Sequence, residues 1–259
     1  MVQQDFARTV VDVLKSDSNT IGLAVAGSWL TNEMDEFSDL DLILVTKEKV
    51  AGDLTTMLHY AKRFGQFLSG FTGEHVGEPR VLICLYDNPL LHVDIKFLTL
   101  DEFRYRVETP FILLDNDGQL KAILEQTEPK FPYPDYQWIE DRFWIWIHYT
   151  LLKIGRGEFI EAFDCFGFLR MIVFGPLLHI KSGNLPRGVR KVEMQLPRAD
   201  LDLLITTLPK YSKASLLESL QNAVSLYRKL RDALYSPAIA RQIETEDRVM
   251  QYFDKIKRH

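Results

Sequence analysis

AGSWLTNEMDEFSDLDLIL (residues 26–44) is the stretch on which the fold of this chain turns. It continues from IGLAVA (21–26), a short apolar run that ends at Gly27-Ser28 and reads as a buried strand stopping in a turn. Glycine permits close backbone approach and unusual dihedrals. The Ser28 hydroxyl beside exposed backbone N–H groups suits that turn to holding a phosphate. After ten intervening residues, Asp39-Leu40-Asp41 opens a second strand over 39–45 (DLDLILV). Side chains alternate across a strand, so Asp39 and Asp41 are expected on one face and Leu40 and Leu42 on the other, with the acidic Cα atoms roughly 6.5–7 Å apart. Carboxylates placed like this repel each other, and one of them tends to hold a proton. A hard cation relieves the conflict. Mg²⁺ takes oxygen ligands, keeps several waters and is commonly shared with substrate phosphates.

A third acid stands in LLHVDIKFL (90–98). Leu91, Val93, Ile95 and Phe97 share one face of this strand, and His92, Asp94 and Lys96 share the other. An acid in the middle of an apolar strand is costly to bury without a partner. If the strand neighbours 39–45, Asp94 joins the cation site, either as a ligand or as the base that takes a proton from an attacking hydroxyl. The chemistry expected of such a site is in-line displacement at a nucleotide α-phosphate. Singly these features are ordinary. A solvated Asp-Leu-Asp strand start is common, Gly-Ser is weak, and Asp94 has Lys96 nearby as an ion-pair partner. Their combination, in this order and spacing, is what carries specificity.

Working outward, apolar spacing predicts a helix over 4–16 and another over 48–68. VLICLY (81–86) and 90–98 read as strands joined by the turn Asp87-Asn88-Pro89, giving a hairpin and four or five strands in all. PKFPYPDY (129–136) carries Pro129, Pro132 and Pro134 and reads as an interdomain linker. Beyond it the periods are helical. Trp138, Phe143, Trp146, Ile147 and Leu151 make one stripe, read first as core rather than a stacking platform. Phe159, Ala162, Phe163, Phe166, Leu169 and Val173 make another. Two further helices are expected at 212–235 and 238–256, with the basic loop SGNLPRGVRK (182–191) before them. His148 and His179 fall on apolar helices and read as structural.

The expected fold class is therefore α+β. A mixed sheet flanked by helices occupies 1–130, and an all-helical region occupies 131–259. Charge divides along the same line: residues 1–130 hold 12 Lys and Arg against 21 Asp and Glu, and residues 131–259 hold 19 against 15. With a net charge of −5 and no long basic run, non-specific nucleic-acid binding is disfavoured. Cys84 and Cys165, the only cysteines, sit in apolar segments and read as reduced core thiols. The N-terminus lacks the basic start and apolar core of a signal peptide, and no run approaches the length of a membrane span, so a cytoplasmic protein with no membrane partner is expected.

At residues Ala26, Gly27, Ser28, Asp39, Leu40, Asp41 and Leu42 the chain resembles the polymerase-β-type nucleotidyltransferase superfamily, with Asp94 in HVDIKFL matching its third carboxylate. Within it the chain is similar to the aminoglycoside 6-adenylyltransferase type of antibiotic-modifying enzymes. Supporting segments are VDIKFLTLDEF (93–103), LLDNDG (113–118), RFWIWIHYTLLKIGRGEFIEAFDCFGFLR (142–170) and PRGVRKVE (186–193). The resemblance implies a catalytic domain followed by a helical substrate-binding domain, with the acceptor held between them. It implies Mg²⁺ on Asp39, Asp41 and Asp94, ATP as donor with Gly27 and Ser28 at its phosphates, and transfer of AMP to a hydroxyl of a small, cationic, aminoglycoside-like acceptor. Arg170 is a candidate for approaching phosphates. Glu140, Glu158 and Glu161 are candidates for the acceptor-side acid that some relatives draw from the helical part. Two alternatives stand beside this reading: the same chemistry on a protein acceptor, and a non-catalytic nucleotide-binding regulator. A monomer or a homodimer is compatible with all three.

Overall fold

The apolar runs on either side of Gly27-Ser28 pair with each other and become the middle of a sheet. The computed structural model describes residues 1–31 and 33–258, and the chain divides into two compact units, Met1–Phe131 and Pro132–His259. In the first unit the order is α1 (Val2–Leu14), β1 (Thr20–Val25), β2 (Leu40–Thr46), α2 (Leu54–Lys62), β3 (Gln66–Gly73), β4 (Glu78–Asp87), β5 (Leu91–Thr99), α3 (Leu100–Phe103), β6 (Phe111–Asp115) and α4 (Gln119–Gln126). The described strands form one six-stranded mixed sheet in the order β3-β4-β5-β2-β1-β6. Every neighbouring pair is antiparallel except β2 with β5, which run parallel.

The two faces of this sheet are used differently. Leu40, Leu42 and Leu44 of β2 and Val93, Ile95 and Phe97 of β5 pack beneath α1 and α2, against Ala7, Val10, Leu14, Met57 and Ala61. The opposite face carries a smaller cluster, with Val45 and Leu98 packed against Phe103 of α3 and Leu120 and Ile123 of α4. Val45 and Leu98 are register partners near the C-terminal ends of β2 and β5. The cover of α3 and α4 is thus anchored at the C-terminal ends of these strands, and Asp41 and Asp94 lie nearer their N-terminal ends.

Three sequence expectations change here. The helix expected over 48–68 is only Leu54–Lys62. Asp53 caps its N-terminus by accepting from the Thr55 and Thr56 amides, and the chain turns at Gly65 into β3. The sheet has six strands rather than four or five, because β3 and β6 are edge strands whose exposed positions hide the alternation. Asp39 lies just ahead of β2 rather than within it.

The second unit is helical. Its elements are α5 (Tyr136–Arg156), α6 (Phe159–Leu169), a π-helical turn (Arg170–Phe174), α7 (Gly175–Lys181), α8 (Val192–Gln195), α9 (Arg198–Ile205), α10 (Lys213–Leu234) and α11 (Ile243–Arg258). Asp135 caps α5 from the Gln137 and Trp138 amides, and Gly157 closes it in a left-handed conformation at φ +79. Phe143, Ile147 and Leu151 of the stripe are core, with Phe143 stacked on Tyr227 of α10 at 3.6 Å between ring centroids, whereas Trp138 is exposed and Trp146 only partly buried. The reading that no run approaches a membrane span needs correcting. Residues Phe159–Lys181 form one continuous helical run of 23 residues, within which a stretch reaches a mean hydropathy of 1.5, long and apolar enough by length and composition. Leu169, Val173, Phe174, Leu177 and Leu178 on this run are fully buried in the helical core, which is how a core helix passes the same test.

Candidate functional site

Parallel pairing of β2 with β5 decides where the acids meet. The register runs without a break from Leu40 opposite Val93 to Thr46 opposite Thr99, and it sets Asp41 directly opposite Asp94. Leu40 and Leu42 are buried on the core face, as are Val93 and Ile95, so both carboxylates rise from the other face. Next to Asp41, the chain leaves β1 through Ala26, whose N–H donates to the Asp41 carbonyl at 3.0 Å, and turns at Gly27. Gly27 has φ +65, and a Cβ there would lie 2.0 Å from Asp41 Oδ2. A glycine is therefore required twice over, for its backbone angle and for the carboxylate that fills its side-chain space. Ser28 sits in the short 3₁₀ turn Gly27–Trp29, half-buried.

Asp41 and Asp94 open onto a pocket of about 310 Å³. Its floor continues along the sheet to Lys96, Glu78 and Arg80, and its rim comes from the segment Phe103–Glu108 after β5. Burial pushes the Asp94 carboxyl above its ordinary range; His92, whose Nε2 lies 2.9 Å from Asp94 Oδ1, works against this, and the charge of Asp39 adds to the rise. The neighbouring group behaves in the opposite way. Arg80 grips Glu78 through two contacts of 2.7 Å and Lys96 Nζ sits 2.8 Å away, and together they hold the Glu78 carboxyl down to about 2. A carboxylate pair thus adjoins a locked anion–cation cluster on one sheet face.

The three-acid expectation is met only in part. Asp41 and Asp94 are register partners that line one pocket, and Asp39 is near enough to influence Asp94 but does not line that pocket. Among the described residues, no three His, Cys, Asp or Glu side chains are grouped so as to hold a metal ion. The physical reason is that Asp39 precedes β2, so strand alternation does not fix its side chain. Two opposed carboxylates still suit Mg²⁺, which usually binds through one or two of them together with water and substrate phosphates. Glu108 was missed in the sequence. It comes from the loop between α3 and β6, accepts the Gly27 N–H at 2.9 Å and lines the same pocket, and no strand or helix period points to it.

The candidates in the helical unit separate into distinct environments. Glu140 is fully buried; it accepts from the Tyr227 hydroxyl at 2.6 Å, the Gln242 amide at 3.0 Å and Arg231 Nη1 at 3.2 Å. It ties α5 to α10 and to the start of α11 and offers no surface to an acceptor. Glu158 and Glu161 share Lys153 Nζ, at 2.8 and 2.9 Å, and Glu161 also accepts from the Tyr149 hydroxyl. Glu161 lines a pocket of about 300 Å³ with Trp146, Tyr149, Asp164 and Phe168. Arg170 is half-buried, donates to the Thr207 carbonyl at 3.1 Å, and has its pKa lowered by burial. His179 is buried with Nε2 on the Arg190 carbonyl at 3.0 Å, a packing role that agrees with its sequence reading.

No protein-family model matches the chain, and no curated protein sequence matches it either. Among solved structures it is similar to an aminoglycoside 6-adenyltransferase from Bacillus subtilis, at 17% identity and a TM-score of 0.41 over 98% of both chains. It is also similar to a nucleotidyltransferase-like protein from Exiguobacterium sibiricum 255-15, at 13% identity and a TM-score of 0.37, over 88% of this chain and 75% of that one.

Proposed function

We propose that the chain is a nucleotidyltransferase that uses Mg²⁺ and ATP to transfer AMP to a hydroxyl of a small molecule, with an aminoglycoside-like cation as the acceptor class. The first unit is the catalytic part, and the helical unit supplies acceptor binding. One observation carries the reading: Asp41 and Asp94 are register partners on two parallel strands, rising from the polar face beside a glycine turn, above a pocket. Carboxylates set against each other across a sheet gain nothing for stability, since like charges facing each other are destabilising. Their arrangement makes sense as a cation site.

A divalent cation bound there would polarise the α-phosphate and neutralise charge on the leaving pyrophosphate. The remaining work falls to the chain. Asp41 fills the space that a side chain at Gly27 would take and would bind the cation together with Asp94. Asp94, its carboxyl pushed upward by burial, also suits the task of accepting a proton from the acceptor hydroxyl. The Gly27-Ser28 turn would present N–H and hydroxyl donors to a phosphate, once Glu108 gives up the Gly27 amide. Within the helical unit, the pocket lined by Trp146, Tyr149, Asp164 and Phe168 combines an acid with aromatic faces, a surface that favours organic cations. A cytoplasmic location and a monomeric or homodimeric state fit this reading.

The test is transfer of label from ATP in the presence of Mg²⁺ across a panel of aminoglycosides and lincosamides, with Asp41→Asn and Asp94→Asn beside the wild type. Label on a small-molecule acceptor that disappears in both variants is expected. Label on protein alone would move the acceptor class to a polypeptide. Equal transfer by wild type and both variants would end the mechanism.

A further inference from the structure

The neighbours of Asp94 on the polar face of the sheet follow from the register. Across the parallel pair stands Asp41, a like charge. Across the antiparallel pair stands Ile83 of β4, which offers no polar side-chain atom. Along β5, side chains two apart share a face, so His92 and Lys96 flank Asp94. Lys96 is engaged elsewhere, with Nζ 2.8 Å from Glu78 Oε2. That leaves His92, whose Nε2 lies 2.9 Å from Asp94 Oδ1. Among the described residues this is the one hydrogen bond that the Asp94 side chain makes, and the one that the His92 side chain makes. Stability does not account for the contact. The His92 side chain is half-exposed, and pairs formed at that exposure contribute little. Leu85, its register partner on β4, gives an imidazole no reason to be there.

We infer that His92 is a positioning residue for Asp94, holding Oδ1 so that the other carboxylate oxygen is presented to the divalent cation. The inference rests on the reading above, that Asp41 and Asp94 bind that cation. An ionised carboxylate only accepts, so Nε2 carries the proton and donates it to Oδ1. A donor fixed on one oxygen restricts rotation of the carboxylate and leaves its second oxygen to another partner. Carboxylates that hold metal ions are commonly oriented in this way, by hydrogen bonds from groups that do not themselves touch the metal. The role sets a strict requirement at residue 92: an N–H must reach Oδ1, and bulk alone is not enough. Glutamine meets it with its side-chain amide. Alanine removes the donor, and phenylalanine keeps a ring without one.

The experiment uses Mn²⁺, which suits the same oxygen ligands as Mg²⁺. The ion is titrated into the full chain at a fixed concentration of a non-hydrolysable ATP analogue, and the protein-bound fraction is read from the relaxation of water protons. Wild type is compared with His92→Ala, His92→Phe, His92→Gln and Asp94→Asn. His92→Ala and His92→Phe are expected to lose about tenfold or more in Mn²⁺ affinity, and His92→Gln to recover most of that loss. Thermal melts of the three His92 variants should match wild type, because the side chain is half-exposed. Mn²⁺ affinity in His92→Ala equal to wild type overturns the positioning role, and so does an equal loss in His92→Ala and His92→Gln. Wild type and Asp94→Asn binding Mn²⁺ alike would end the cation reading itself and the role of His92 with it. Failure of the positioning role alone is thus distinct from failure of the reading beneath it.

Discussion

Glu140 in the helical unit and Asp94 in the sheet unit are acids with opposite surroundings. In the helical unit, Glu140 and Glu246 converge on Arg231, with Nη1 at 3.2 and 2.8 Å, while Tyr227 and the Gln242 amide supply further donors. In the sheet unit, Asp41 faces Asp94 across the parallel pair, and the nearby charge of Asp39 raises Asp94 further. The first arrangement is neutralised by its own fold and serves packing. The second sets two carboxylates together on one patch of sheet, with His92 Nε2 2.9 Å from Asp94 Oδ1. Glu140 has a buried cation beside it, and Asp94 has a second carboxylate across the strand pair.

The contrast can be broken most sharply from the helical side. Arg231→Met leaves two carboxylates buried against each other, and stability should fall by about 3–5 kcal/mol. Urea unfolding followed by circular dichroism reads this; a loss below about 1 kcal/mol would mean that the arginine is not what neutralises the cluster. The matching change in the sheet, Asp41→Asn, should leave stability level or higher, because it removes one of two like charges. It should cut nucleotidyl transfer by about 10³-fold, on the order of 4 kcal/mol of barrier. A variant that unfolds in step with its loss of activity would make Asp41 a structural acid like Glu140.

Gly27→Ala sharpens the comparison at shorter range. The left-handed φ alone costs an alanine about 1–2 kcal/mol, and the added methyl displaces the Asp41 carboxylate. Transfer should therefore fall further than stability does, which paired thermal melts and rate measurements would show. The smallest effect is expected at Glu78. Arg80 and Lys96 hold its folded carboxyl down to about 2, from an ordinary value of 4.5. The stabilisation it supplies is thus complete above about 4.5 and lost as pH falls through about 2. It amounts to on the order of 1 kcal/mol after allowance for its partial exposure. Glu78→Gln should flatten that part of the acid-unfolding curve, and an unchanged curve would remove the Arg80–Glu78–Lys96 cluster from the account.

How much of this was legible in the sequence depends on periodicity. The alternation of Leu91, Val93, Ile95 and Phe97 against His92, Asp94 and Lys96 fixed the faces of β5, and the Asp87-Asn88-Pro89 turn fixed its antiparallel pairing with β4. That β5 lies beside β2 could only be stated as a condition, because strand order depends on contacts distant in sequence. β3 and β6 escaped notice as edge strands: Leu68, Phe71 and Phe111 are exposed, so no apolar face marks them. Glu140 looked available because a helical period gives its position on α5 and says nothing of Arg231 or Gln242, which arrive about a hundred residues later. Glu108 sits in a loop, where no period exists to mark it.

The unbroken register between β2 and β5 has a consequence for how this chain tolerates change. Asp94 is seven residues after Asp87, with the turn at residues 88–90 between them. Residues added in that turn lengthen a surface bend and leave Asp94 where it is. One residue inserted after Leu91 reverses the parity of all that follows, sending the Asp94 carboxylate under α1 and α2 and Val93 up beside Asp41. Lineages of this protein should therefore vary in length freely at residues 88–90 and hold an invariant count from 91 to 94, a fingerprint of the carboxylate pair that survives even where the surrounding letters have drifted.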